Sequence, residues 1–164
     1  MKKMFFMAAL TLLTAATSIN ATTTTIGGGD KTKKAKAKKA DADKESYIKA
    51  IRLYNLPDGT CTFEEGKIPN KTNMDVKTFF AQTHVDDYEK VAHAAPRMQY
   101  VVTLKGKLKF KVSNGDTFII EPGVVLVAED TLGKGHSWDL VKGEKWERLY
   151  IPLKDGAEDH FIKN

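Results

Sequence analysis

The stretch Lys107 to Val112, KLKFKV, restricts the fold of this chain more than any other feature. Its apolar residues, Leu108, Phe110 and Val112, alternate with lysines. Successive side chains of a β-strand point to opposite faces of the sheet. The alternation therefore predicts a strand with one face in a core and the other in water.

A tight hairpin is predicted directly after this strand. Asn114 and Gly115 are residues that adopt the positive φ angles of a two-residue turn, and Thr117 to Ile120 then returns as the partner strand. Further short apolar runs with period two follow this pattern along the chain. They predict strands at Ile51 to Asn55, Thr60 to Glu64, Val76 to Thr83, Arg97 to Leu104, Val124 to Glu129, His136 to Val141 and Trp146 to Leu153.

This succession of short strands predicts an all-β domain without a long helix. Some eight or nine antiparallel strands, on the order of five residues each, close well into a jelly-roll β-barrel, which hides the sheet edges that would otherwise pair with other chains. Periodicity alone supports the all-β class without selecting the jelly roll within it.

The N-terminus has the order of a secretory signal peptide. Lys2 and Lys3 precede an apolar run from Met4 to Leu13, and small and hydroxyl residues lead to Ala21. The apolar run is shorter than the roughly 20 residues that a transmembrane helix needs. We therefore expect residues 1–21 to be cleaved, the mature protein to be periplasmic or secreted, and no stable membrane insertion after cleavage.

Residues 22–44 are predicted to be a flexible basic linker, rich in lysine and alanine and almost free of large apolar side chains. The formal net charge of +5 comes from the N-terminal segments, because the chain from Glu45 onward has 17 basic and 18 acidic residues. The domain at 45–164 is therefore close to neutral, and no nucleic acid partner is expected. Contact of the linker with an anionic surface of the cell envelope stays an alternative.

Cys61 is the only cysteine, so no intramolecular disulfide forms. No basic residue stands beside it in the sequence to activate it. It is predicted to be a structural thiol.

Three motifs resemble those of small cupin-domain proteins, which read His-x-Ala-Pro-Arg-x-Gln, then TLxGxL, then PGDxxLxEDTxGKGH. The chain reads HAAPRMQ from His93, TLKGKL from Thr103 and PGVVLVAEDTLGKGH from Pro122. RLYNLPDGTCTFEEGKIP, from Arg52, resembles the opening strands of the same group. The resemblance implies a cupin jelly roll and a homodimer, but cupins include isomerases, dioxygenases, epimerases and storage proteins, so it implies no single function.

The resemblance also suggests a candidate site. Metal-binding cupins use two histidines and a glutamate from one motif and a third histidine from the next. Their positions correspond here to His93, Ala95, Gln99 and His136. The remaining trio, His93, Gln99 and His136, has lost the anionic ligand. We therefore expect weak affinity, if any, for one divalent metal ion, whether zinc, iron, manganese, copper or nickel.

The main hypothesis is that the barrel pocket binds a small polar molecule. His93, Gln99 and His136 are predicted to face it, and Arg97 is predicted to offer its guanidinium fork to a carboxylate or phosphate. Arg97 pairing with Glu129 or Asp130 is an alternative, and either carboxylate would restore charge to a metal site if it pointed inward.

Other hypotheses stay open at this point. The trio can simply hydrogen-bond within the protein, as buried polar groups generally do. A metal-dependent enzyme, isomerase-like or dioxygenase-like, would use His93 and His136 as ligands. An interaction module of the cell envelope is the third possibility, and the sequence assigns no catalytic residue.

Overall fold

The structure, a computed structural model, describes residues 47–164. The signal peptide and the basic linker predicted at 1–44 lie outside the described residues. Within residues 47–164 the fold is predominantly β, which confirms that part of the fold prediction, and the helical content is one 3-10 turn at Asp87–Lys90. No helix in this range is long and apolar enough to cross a membrane. The strands are β1 (Tyr47–Asn55), β2 (Cys61–Pro69), β3 (Phe80–Gln82), β4 (Gln99–Val112), β5 (Thr117–Ile120), β6 (Val124–Ala128), β7 (His136–Pro152) and β8 (Ile162–Lys163).

These strands form one hydrogen-bonded sheet. Seven of them follow the order β3-β7-β4-β6-β1-β2-β8, and β5 pairs with β4. β1 and β6 run parallel, whereas the other pairs are antiparallel. The sheet brings β4, β6 and β7 side by side, and these three strands position the candidate site.

Strands β4 and β7 are each longer than predicted. The sequence predicts a break in each of them, but one ladder runs from Gln99 opposite Pro152 to Val112 opposite His136. The ladder shifts register between Thr103 and Leu108, around Gly106, whose φ is 105°. A glycine tolerates this backbone at a bulge, so the strand bends there without ending.

The prediction of a strand from Val76 to Thr83 is largely wrong. Only β3 within it pairs with β7, and Val76 forms an isolated bridge with Leu153. Period-two patterning was misleading here because the segment lies at the edge of the sheet, where Phe79 and Phe80 stay exposed.

The alternation in KLKFKV is confirmed. Leu108, Phe110 and Val112 are buried in the main core. The hairpin is confirmed too, with Lys111 opposite Thr117. The predicted two-residue turn is not, because only Gly115 of the Asn-Gly pair has a positive φ and the loop closes between Val112 and Asp116. Burying each of the side chains of Leu108, Phe110 and Val112 stabilises the folded state by about 1.5–3 kcal/mol. The core also contains Ile51, Leu53, Cys61, Val101, Phe118, Ile120, Val124, Leu126, Trp146 and Tyr150.

Candidate functional site

A small enclosed cavity lies among β4, β6, β7 and the segment 83–98 that connects β3 to β4. It brings together three residues of the predicted site, His93, Gln99 and His136. Its walls are largely aromatic and apolar, including Phe110 and Trp146. The volume of this inner cavity is about 20 Å³. That is room for about one water molecule.

The two histidines meet through their backbones. Each donates its backbone N–H to the carbonyl oxygen of the other, and both N···O distances are 2.9 Å. Gly135 allows this approach because a Cβ at that position would overlap the carbonyl group of His93. The imidazole ring centroids of His93 and His136 are 4.7 Å apart. The glycine next to His136 therefore has a steric role in forming the site.

The hydrogen bond of His93 determines its tautomer. Nδ1 lies 2.8 Å from the carbonyl oxygen of Val91. A carbonyl oxygen only accepts, so Nδ1 carries the proton of the neutral ring. Burial lowers the pKa of His93, and the nearby His136 lowers it further, which favours this neutral form. Nε2 of His93 is therefore a hydrogen-bond acceptor.

A buried carboxylate orients the second histidine. Asp130 is 0% exposed, and its Oδ2 accepts hydrogen bonds from Nδ1 of His136 at 2.6 Å and from the thiol of Cys61 at 3.3 Å. Carboxylates commonly fix the orientation and tautomer of a histidine in this way. Nδ1 of His136 is thereby engaged, and its Nε2 is left for another partner. Oδ1 of Asp130 has no hydrogen-bond partner within the described part of the chain.

Cys61 is a buried free thiol in this arrangement. Burial raises its pKa, and the negative charge of Asp130 raises it further. A thiolate is therefore strongly disfavoured, in agreement with the prediction of a structural thiol.

A buried ion pair beside the cavity was missed by the sequence analysis. Glu89, in the 3-10 turn, is 2% exposed, and its carboxylate accepts two hydrogen bonds from the guanidinium of Arg148, at 2.6 and 2.8 Å. The hydroxyl of Tyr150 donates at 2.6 Å, and the side-chain amide of Gln82 donates at 3.0 Å. This Glu89 cluster fastens the segment 83–98 to β3 and β7.

The pKa values in this cluster follow from its hydrogen bonds. Burial alone would raise the pKa of Glu89, but the bonds from Tyr150, the backbone of Asp86 and Arg148 hold it below its usual value. Burial raises the pKa of Tyr150, and its bond to the Glu89 carboxylate raises it further. The sequence contains one indication of the cluster. Arg148 lies two residues from both Trp146 and Tyr150, so strand alternation places the three side chains on one face.

Arg97 lies in a second, outer pocket. It precedes β4 by two residues, so the parity of that strand does not direct its side chain. The outer pocket has a volume of about 230 Å³. It shares four lining residues with the inner cavity, Tyr88, Pro96, Gln99 and Tyr150. The two spaces are therefore neighbours, with the buried Gln99 common to both.

Glu129 belongs to a different cluster. Its Oε2 lies 4.0 Å from the guanidinium of Arg52, which also contacts Asp159 at 3.2 Å. Burial, together with the charge of Asp159, raises the pKa of Glu129 to about 7. The predicted alternative of an Arg97 pair with Glu129 or Asp130 is therefore wrong, because Arg52 and His136 are their partners.

The donor set fits a divalent ion poorly. No group of three or more His, Cys, Asp and Glu side chains between residues 47 and 164 is arranged to hold a metal ion. The two nearest carboxylates, Glu89 and Asp130, are engaged by Arg148 and His136. Two imidazoles and the carboxamide of Gln99 remain, without the anionic ligand that would offset the lost hydration of the ion.

No protein-family model matches the chain, and no match is found among curated proteins. The resemblance to cupins is one of residue motifs alone.

Proposed function

We propose that this protein binds a small polar molecule through His93, His136 and Gln99. The observation that carries the proposal is the pairing of the two histidines. Each uses Nδ1 within the protein, which leaves both Nε2 atoms for a ligand, on rings only 4.7 Å apart. Such a pair suits a hydroxyl group, which can both donate and accept a hydrogen bond.

Gln99 extends this polar surface. The residue is buried, and no hydrogen bond joins its carboxamide to another side chain or backbone group among residues 47–164. Its carboxamide atoms are not sealed off from solvent, because Oδ1 of Asp130 is the one fully enclosed unpartnered polar atom in the described part of the chain, so Gln99 is free to hydrogen-bond water or a ligand. Gln99 lines both the inner cavity and the outer pocket. It is thus placed to contact a ligand that occupies both spaces.

The ligand must extend beyond the inner cavity. The inner cavity has a volume of about 20 Å³, whereas pockets for drug-sized ligands have roughly 300–1,000 Å³. The outer pocket supplies the additional space, and movement of the segment 83–98 would join the two. Most of that segment is exposed, and its attachments are the Glu89 cluster and the backbone hydrogen bonds of His93, Ala95 and Met98. Ligand entry by displacement of this segment is part of the proposal.

The proposed fold family is the cupin jelly-roll barrel. The mainly antiparallel β-sheet and the three motifs support it, because the motifs align His93, Gln99 and His136 with cupin pocket residues. Export to the periplasm or beyond, after cleavage of residues 1–21, is proposed from the N-terminal pattern. A homodimer stays a prediction from the resemblance.

A screen followed by matched variants tests the proposed function. Thermal shift with a library of small alcohols, polyols, sugars and hydroxy acids identifies binders, and calorimetry gives their affinities. A ligand at 100 times its Kd stabilises the folded state by about 2.7 kcal/mol, which such a screen detects. We expect H93A and Q99M each to weaken binding at least about tenfold, since each removes a hydrogen bond to the ligand.

The matched control is H84A. The side chain of His84 is 73% exposed and lines neither space, so this variant should bind like the wild type. Hits whose affinity is unchanged in both H93A and Q99M would contradict the proposal. Elemental analysis of protein purified without chelators tests the alternative of a metal-dependent enzyme, because a full equivalent of a transition metal would favour that function instead.

A further inference from the structure

The outer pocket combines one cation with aromatic surface. Arg97 is exposed and lies beside Phe80 and Tyr88 in the lining. Within the described part of the chain, Arg97 forms no ion pair with an acidic side chain. Its guanidinium is therefore available to a ligand, and its planar fork of donors matches a carboxylate.

The acidic groups near Arg97 are engaged by other residues. Oδ2 of Asp86, which also lines the pocket, accepts a hydrogen bond from Gln82 at 3.3 Å, and Oδ1 lies 3.1 Å from Nε2 of His84. The carboxylate of Glu89 is taken up by Arg148. Asp86 is thus held by Gln82 and His84, and Arg97 is the cation in this pocket lining that can pair with an anionic group of a ligand.

The aromatic residues supply flat apolar surface at the same place. Phe80 is 40% exposed and Tyr88 is 47% exposed. Phe80 stacks on Tyr150, with ring centroids 5.3 Å apart, so its orientation is fixed by the sheet. Aromatic side chains of this kind gain binding energy by packing on a ring. At about 230 Å³, the outer pocket limits the ligand to a small ring system.

We infer that the ligand is a small ring-bearing carboxylate that also carries a hydroxyl group. Its carboxylate pairs with Arg97, its ring packs on Phe80 and Tyr88, and its hydroxyl reaches past Gln99 towards the two histidines. The order follows from the neighbouring spaces, which share Gln99, with the cation in the outer one and the two imidazoles in the inner one. The inference rests on the proposed function and adds the class of its ligand.

Matched pairs of probes test the charge. The probes are 4-hydroxybenzoate against 4-hydroxybenzamide, and mandelate against mandelamide, each titrated by calorimetry into the wild type, R97M and K90M. Lys90 is the matched control, because it is an exposed cation of the same segment that pairs with Asp87. We expect the wild type and K90M to bind at least one acid about tenfold or more tightly than its amide. R97M should lose that preference but keep the affinity for the amide.

The outcomes separate this inference from the proposed function. Equal affinity for acid and amide in the wild type, or an unchanged preference in R97M, would overturn the carboxylate inference and leave the proposed function standing. If the preference for the acid over its amide is lost in R97M but the affinity is unchanged in H93A, the result would support binding in the outer pocket and count against the proposed function. No binding of any probe at millimolar concentration would overturn the inference for hydroxylated ring acids.

Discussion

Replacing Glu89 with glutamine should destabilise the fold strongly, although the two side chains have nearly the same size. Arg148, its partner, is 0% exposed, and the substitution leaves that guanidinium buried without a counter-charge. Breaking a buried ion pair by removing one partner costs about 3–5 kcal/mol. For a domain of this size, that loss corresponds to a Tm lower by about 10–20 °C.

A double-mutant cycle isolates the interaction. R148M leaves the Glu89 carboxylate buried without its cation, so we expect a similar loss of about 3–5 kcal/mol. The double variant E89Q/R148M removes both charges, and its loss should be smaller than the sum of the two by at least about 2 kcal/mol. Such a coupling energy cannot come from a change of volume at a single position.

The pH dependence gives a second readout. The pKa of Glu89 is lowered by folding from its usual value of 4.5. Its contribution to stability is therefore complete above 4.5 and is lost as the pH falls through the lower folded value. The stability difference between wild type and E89Q should accordingly be largest at neutral pH and shrink in acid.

Urea denaturation followed by tryptophan fluorescence measures these differences. The control is D87N, because Asp87 lies in the same 3-10 turn but its side chain is 97% exposed. Its effect should stay within about 0.5 kcal/mol. A loss below about 1 kcal/mol for E89Q, or strictly additive effects in the cycle, would refute the view that this ion pair fastens the segment 83–98.

Three further predictions concern other parts of the fold. Because folding raises the pKa of Glu129 from 4.5 to about 7, the folded state binds more protons in that window and stability should fall as the pH rises through it. E129Q should therefore be more stable than the wild type at pH 8, by about 1–3 kcal/mol, but not at pH 4, and equal urea midpoints at pH 8 would disprove this. Cys61 is buried with a raised pKa, so a thiol reagent should label it far more slowly in native than in urea-unfolded protein; equal rates would contradict its burial. G66A should cost about 1–3 kcal/mol, because the new methyl would overlap the ring of Phe161 and displace β8; unchanged stability would show that the C-terminal segment adapts freely.

Part of the candidate site could be predicted from the sequence because it depends on local pattern. Strand parity places Gln99 and Val101 on one face, and both line the inner cavity. Motif resemblance joined His93 to His136 across more than 40 residues, and the structure places their rings in contact. The family relation and the function stay proposals.

Other parts depended on contacts that no local pattern contains. Glu89 stands in a polar segment, DDYEK, that resembles an exposed loop, yet its carboxylate is buried by Arg148, almost 60 residues later. The partner of Asp130 was left open for the same reason. Whether a carboxylate points inward depends on which cation or donor the fold brings to it.

The sequence by itself determined the alternation of core and solvent faces, the Asn-Gly hairpin and the predominance of β-structure, because side-chain direction and turn geometry are properties of neighbouring residues. Only the tertiary structure decided which polar groups satisfy one another: Glu89 with Arg148, Asp130 with His136, and Asp159 with Arg52. A buried charge is stable only beside its partner, and the fold brings the two together. The Nε2 atoms of the two imidazoles are left for a ligand because these pairings use the nearby carboxylates.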